Sequence, residues 1–270
     1  MKIKAVAFDL DGTLLNDRKE ISEKNRKSIK RLQNAGVKIL FATGRNDVYV
    51  RGLAASLGGV EVIIACNGAL IKQVATGKDL YHRFIDKTMV HELAMYGFEH
   101  HLDFTASVYD AMFCVSNSKR VQVFLDYNKI MAEDYKIPIC YMNDADTLDK
   151  QNVFKMFVWQ MKEKEQQDFL AKYGYSQEIS MIVSEKNGLD ISPADVNKGT
   201  AIERFAQIYN IALEDIAAFG DHDNDICMLG KVGYSVVMEN ASDNVKQHAR
   251  YCTKNHNEDG VAWAIENYLK

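Results

Sequence analysis

Short apolar runs ending in polar residues, each separated from the next by a stretch of helical spacing, constrain this chain more than any other feature. VKILFA, residues 37–42, is a nearly unbroken apolar run, the pattern of a strand buried on both faces. Before it, Lys2–Phe8 reads as a strand. A helix follows from about Ser22 to Ala35, with Ile21, Ile29, Leu32 and Ala35 on one side. Ser22 is placed to cap that helix and Gly36 to end it. A second helix is predicted over Val48–Leu57, stopped by Gly58-Gly59, and a third strand over Val62–Ala65. Strand, helix, strand at this spacing predicts right-handed crossovers and a parallel sheet.

The pattern then breaks. Ala69–Gln73 and Leu80–Phe84 suit a hairpin turning at Thr76-Gly77. Next come a helix (Lys87–Glu99), strands (Leu102–Val108, Met112–Ser116), a helix (Ser118–Glu133), a strand (Val153–Gln160), a helix (Lys162–Tyr173) and strands (Glu178–Ser184, Gly188–Ser192). Adjacent strands without helices between them predict an antiparallel sheet in an α+β module. After Pro193 the alternation resumes. A helix at Gly199–Tyr209, a strand at Ile216–Phe219, a helix at Asp223–Leu229 and a strand at Tyr234–Met238 are followed by Asp243–His248, Tyr251–Thr253 and Gly260–Tyr268 in the same rhythm. The fold class predicted is α/β, with a core domain over 1–82 and 191–270 and an inserted α+β domain over 83–190.

Composition narrows the function. Of 270 residues 47% are hydrophobic, enough for a sizeable core, and the net charge of -4 argues against nucleic acid. The opening segment is not a signal peptide in pattern, and no run approaches the ~18 apolar residues of a membrane helix. Cys66, Cys114, Cys140, Cys227 and Cys252 form no CxxC pair and read as reduced thiols, so a cytoplasmic location is expected.

The chemistry lies where strands end. Asp9 ends the first strand and Asp11 follows two residues on; Thr43-Gly44-Arg45 ends VKILFA; Asp221 ends IAAFG, with Asp223, Asn224 and Asp225 on the turn beyond. In a doubly wound sheet ligands bind outside these carboxyl ends. Several carboxylates in one place must hold protons or take up a cation. Hard oxygens without His or Cys at ligand spacing suit Mg2+. Lys198 and Arg45 are the basic partners at hand, and Lys198 precedes Gly199 and a helix start, which suits an anion. Acids, a hard cation, a lysine and a Thr-Gly turn together suit a phosphate ester. Singly, each pattern has a plainer explanation as a turn or a helix cap; four in register leave that explanation little room.

FDLDGTLL, FATGRN, the lysine of PADVNKG and AFGDHDNDICML occur in that order. They resemble the four motifs of the haloacid dehalogenase-like phosphatase superfamily. CNGA at Cys66–Ala69 and NEDGVAWAI near the end are similar to its Cof-type subfamily. The resemblance implies a Rossmann-like core and, for an insert after CNGA and before Lys198, a C2-type cap. It implies that Asp9 is the nucleophile and Asp11 the general acid and base. Thr43, Gly44, Lys198 and Asn224 would hold the phosphoryl group; Asp9, Asp11 through its main-chain carbonyl, and Asp221 would hold Mg2+. Asp225, Arg45 and Asn67 would support them. His222-Asp223 departs from the usual motif, and their roles stay open. The expected substrate is a small phosphorylated metabolite, a sugar phosphate before pyridoxal phosphate or flavin mononucleotide. The alternatives are a phosphomutase of the phosphomannomutase kind and a non-catalytic phosphometabolite-binding protein. The sequence leaves the oligomeric state open.

Overall fold

The computed structural model describes residues 3–184 and 188–269. The first residues of the strand expected from Lys2 lie partly outside them. The chain divides into two compact units, one of Met1–Gly44, Leu53–Tyr81 and Asn197–Lys270, the other of Arg45–Gly52 and His82–Val196.

The chain opens with β1 (Ala5–Phe8), buried at every position. In α1 (Glu23–Asn34) the Ser22 side chain accepts the Asn25 N–H, so the predicted cap is the actual one. β2 (Lys38–Ala42) follows. The single helix expected over Val48–Leu57 is instead a 3-10 turn at Asp47–Tyr49 and then α2 (Arg51–Leu57). Asn46 accounts for the break. Its side-chain oxygen caps Val48 N–H, while its Nδ2 donates to the carbonyls of Val108 at 3.0 Å and Ala111 at 3.2 Å. β3 (Val60–Ala65), β4 (Leu70–Gln73) and β5 (Asp79–His82) complete this stretch.

The second unit holds α3 (Lys87–Glu99), β6 (Asp103–Val108), β7 (Ala111–Val115), α4 (Val121–Ile130), β8 (Ile139–Met142), β9 (Lys155–Trp159), α5 (Glu163–Tyr173), β10 (Ile179–Ser184) and β11 (Gly188–Pro193). Its strands lie in the order β10-β11-β9-β6-β7-β8. The pairs are antiparallel except β7 with β8. Phe104, Met156, Val158, Leu189 and Ile191 from one sheet face bury against Leu93 of α3 and Phe169 of α5. Helix α4 starts later than Ser118 because the Asp103 carboxylate claims the Ser118 hydroxyl at 2.6 Å and the Lys119 N–H at 2.7 Å. Strand β8 falls where the sequence pattern predicts no element. Asn128 secures the chain just before it, accepting Ile137 N–H at 2.7 Å and donating to Ile137 O at 2.8 Å, a tertiary tie that no periodicity announces.

The first unit resumes with α6 (Lys198–Tyr209), β12 (Ile216–Gly220), α7 (Ile226–Leu229), β13 (Tyr234–Val237), α8 (Asp243–Lys246), β14 (Tyr251–Cys252) and α9 (Gly260–Tyr268). Its strand order is β14-β13-β12-β1-β2-β3-β4-β5. From β14 to β3 every pair is parallel; β4 runs antiparallel to β3. Ala5, Ala7, Leu40, Val62 and Ile64 point to one face, against Ile202 and Phe205 of α6 and Met228 of α7. Helices α1 and α9 pack together, and buried Asn25 accepts the Ala262 N–H at 2.9 Å. The winding reverses between β1 and β12, the switch point at which doubly wound sheets bind ligands. No described helix is long and apolar enough to cross a membrane.

Within the second unit, Lys155 on β9 and Asp190 on β11 form a buried ion pair. A buried pair adds little net stability, but a buried carboxylate left alone is costly. Lys155→Met should therefore lower unfolding stability by about 3 kcal/mol or more, while the double variant Lys155→Met/Asp190→Leu recovers most of the loss. Denaturant titration of both variants checks this. Equal destabilisation of the two would show that the pair itself, and not the orphaned charge, matters.

Candidate active site

Asp9 follows the last residue of β1, and its N–H donates to Phe219 O on β12 at 3.0 Å. Its side chain is fixed by the register Phe8↔Phe219 and Phe8↔Phe41, which seats it between two parallel neighbours. Lys198 reaches it from the first turn of α6. The Asn197 side chain caps that helix by accepting Thr200 N–H at 2.9 Å. Gly199 then lets α6 approach α7 closely: an added Cβ would lie 2.5 Å from Cys227 O. Fully buried, Lys198 donates from Nζ to Asp9 Oδ1 at 2.5 Å and to Asp225 Oδ1 at 2.7 Å.

Asp225 completes a turn of its own. Its Oδ2 accepts the main-chain N–H groups of Asp221 and His222, each at 3.0 Å. Asp221 Oδ1 takes the Thr13 hydroxyl at 2.7 Å. Oxygens of Asp9, Asp221 and Asp225 all lie within 4.8 Å of one another. Gly12 is required beside them: its φ is +80°, and an added Cβ would come 2.2 Å from Asp221 Oδ2. The two acids of FDLD part company. Asp9 turns to Lys198, whereas Asp11 Oδ1 pairs with Lys19 Nζ at 2.8 Å.

The neighbouring strand ends complete the picture. Thr43, buried beyond β2, donates its N–H to Ile64 O at 2.9 Å and accepts Asn67 N–H at 3.0 Å. Cys66, Asn67 and Gly68 are three successive residues with positive φ, of 51°, 57° and 107°. Such strain persists only where surrounding structure enforces it. Asn67 is buried, accepts from Asn224 Nδ2 at 3.1 Å, and has no partner for its own Nδ2 among the described residues. Gly44 makes room for it, since an added Cβ would lie 3.0 Å from Asn67 Oδ1. Arg45 falls in the second unit, with its guanidinium over the Tyr49 ring at 4.3 Å. Asp223 Oδ1 accepts from Asn244 Nδ2 at 2.9 Å, and His222 serves through its main chain. Thr13, Lys19 and Asn240 were not singled out from the sequence for this site. Thr13 lies inside the DGT motif, whereas Asn240 lies outside every motif quoted above.

Electrostatics sets the chemistry. Burial, with Asp225 and Asp221 adding to it, pushes the Asp9 carboxyl well above its ordinary range despite Lys198. Burial and then Asp225 raise Asp221 to about 6. Burial alone would lower the Lys198 ammonium, but Asp225 and Asp9 outweigh it and hold it protonated. One ammonium faces three carboxylates, so a second positive charge is needed for all to ionise. All the candidate donors are oxygens, as a hard divalent cation requires, and the residues present fit one. With a chelator present, folded Asp221 keeps its proton up to about pH 6, whereas an ordinary carboxyl loses it near 3.8. The folded state then binds more protons, so stability falls as pH rises across that window. The wild-type melting temperature should decline from about pH 4 to 6 relative to Asp221→Asn, and a divalent cation should restore it at neutral pH. Parallel profiles for the two proteins would contradict this account.

The chain matches the family described as haloacid dehalogenase-like hydrolase over residues 6–265. It is 28% identical to the 5-amino-6-(5-phospho-D-ribitylamino)uracil phosphatase YwtE of Bacillus subtilis, over 99% of this chain and 98% of that protein. It is 27% identical to phosphatase YwpJ of the same organism, over 99% of this chain and all of that one, 100%. A solved haloacid dehalogenase-like hydrolase from B. subtilis superposes with a TM-score of 0.87 at 26% identity, covering 98% of this chain and 100% of that one. With buried Asp9, Lys198 and Asp225 and half-buried Asp221 meeting at the switch point of such a fold, the chain belongs to the haloacid dehalogenase-like hydrolases, as a phosphatase of the Cof type.

Proposed function

We propose that the protein is a cytoplasmic Mg2+-dependent phosphatase of small phosphorylated metabolites, sugar phosphates foremost, working through an aspartyl-phosphate on Asp9. The observation that carries this reading is the Asp9 carboxylate, fixed at the end of a central parallel strand, 2.5 Å from the Lys198 ammonium and grouped with Asp221 and Asp225. A carboxylate attacks a phosphate dianion only when the repulsion between them is cancelled. Mg2+ held by Asp9, Asp221 and the Asp11 carbonyl would supply that charge and align the phosphoryl group.

This chain's residues do the rest. Asp9 Oδ forms a bond to phosphorus as the ester P–O bond breaks. Asp11 gives a proton to the departing alkoxide, then takes one from the water that hydrolyses the aspartyl-phosphate, so inorganic phosphate leaves and Asp9 is restored. Lys198, the Thr43 hydroxyl, the Gly44 main chain and the Asn224 amide hold the phosphoryl oxygens. Asp225 keeps Lys198 in place, and Arg45 and Asn67 support the anion-binding side. The inserted domain over 83–190, as a C2-type cap, selects the leaving group, because every core residue named suits only an anion or a cation.

Hydrolysis of p-nitrophenyl phosphate should require added Mg2+ after exhaustive chelation. Asp9→Asn should fold yet show no turnover, and Asp11→Asn should lose about 10²–10⁴-fold in kcat. Activity surviving chelation, or a kcat near wild type in folded Asp9→Asn, defeats the reading. A bisphosphate requirement without net phosphate release would instead identify a mutase.

The substrate follows from a panel of sugar phosphates, pyridoxal phosphate, flavin mononucleotide and the phosphoribitylamino-uracil named for the YwtE relative. Substitutions within 83–190 should reorder kcat/KM among these esters, whereas Thr43→Ala should depress all of them alike. A reordering caused by Thr43→Ala, with uniform losses from the cap variants, would reverse the assignment of specificity.

A further inference from the structure

Asn240 lies in the exposed turn after β13, outside the four motifs. Its Nδ2 donates to the main-chain carbonyl of Gly12 at 2.9 Å and lies 3.3 Å from Asp221 Oδ2. Its Oδ1 accepts the His256 N–H at 3.2 Å. The His256 ring and the Asn257 amide each reach the Asp17 carboxylate at 3.0 Å, and Asn257 Oδ1 accepts Asp17 N–H at 3.0 Å. Three loops are thereby tied at one side chain: the loop after β1 and, more than two hundred residues on, the turn after β13 and the segment before α9.

Resting on the reading above, we propose that Asn240 is a positioning residue for the divalent cation. It sets the angle of the Asp221 carboxylate and, through the Gly12 carbonyl, the course of the main chain at Asp11–Gly12. The terminal torsion of an aspartate is broad, so a carboxylate held at one oxygen can still swing. Asp221 is held at both: Thr13 donates to Oδ1 at 2.7 Å and Asn240 approaches Oδ2 at 3.3 Å. The Gly12 carbonyl is fixed by the same amide, which limits how the peptide before it can turn. An amide suits this task better than a lysine would. It orients the carboxylate without cancelling the negative charge that the cation needs. Partners of this kind behind metal ligands typically control affinity by about 10–100-fold.

The test is Mg2+ binding to the full-length chain by titration calorimetry without substrate, with the melting temperature of the metal-free protein and kcat at saturating Mg2+ measured beside it. In Asn240→Ala the Mg2+ Kd should rise about 10–100-fold, with kcat recovering at saturating metal and the metal-free protein still melting cooperatively, so that the loss of affinity is not a loss of fold. In His256→Ala the main-chain N–H to Asn240 survives, so Mg2+ affinity should stay near wild type. An unchanged Kd in Asn240→Ala, or a kcat deficit that saturating Mg2+ does not repair, overturns the proposal. Equal losses of affinity in both variants overturn it too, because they assign the effect to the loop clamp and not to the amide. Should wild type bind no Mg2+ and hydrolyse esters without it, the phosphatase mechanism above fails along with this inference; a metal-dependent wild type with an indifferent Asn240→Ala sinks the inference alone.

Discussion

The site is organised by one buried ammonium. Lys198 bridges Asp9 and Asp225 from a position with no exposed surface, where a lone charge would cost several kcal/mol of desolvation. The surrounding construction meets that cost. Asn197 caps the helix that carries Lys198, Gly199 lets that helix press on its neighbour, and Asp225 spends its second oxygen on two main-chain N–H groups. Remove the ammonium and two buried carboxylates lose their only cation among the described residues at hydrogen-bonding distance.

The balance is incomplete by design. One ammonium among three carboxylates leaves negative charge over, and in the proposed reaction a divalent cation would take it up and let a carboxylate approach an anionic phosphate. Asp221, raised to about 6 by burial and Asp225, marks where the remaining charge is missing. Asp11 escapes this tension because it turns to Lys19 at the surface. Two carboxylates two residues apart thus occupy unlike surroundings on one rigid support, which is the usual route to unlike acid–base roles.

Much of this was legible because burial writes itself into composition. β1, β2 and β12 read as strands since both their faces are covered, and the polar residues ending them stood out against the apolar runs. The second unit was harder. Its strands could be seen in alternation, but β8 and the late start of α4 depend on side-chain to main-chain bonds from Asn128 and Asp103 that no apolar period records. The break at Asn46 has the same origin. Asn240 was hidden for a further reason: an exposed asparagine in a turn looks ordinary until the residues on either side of it in space are known.

The order of strands carries a consequence for synthesis. β1 sits between β2 and β12, and the latter begins only at Ile216, long after β1 ends at Phe8. While the chain emerges from the ribosome, β1 waits with the N–H and C=O groups of one edge unpaired between apolar faces, a template for association with other chains. The second unit closes its own core, from Ile85 to Ile191, before that partner exists. The nascent protein therefore spends the interval as a finished insert attached to a half-built sheet, and this stage, more than the native state, is where chaperones or crowding should decide its yield.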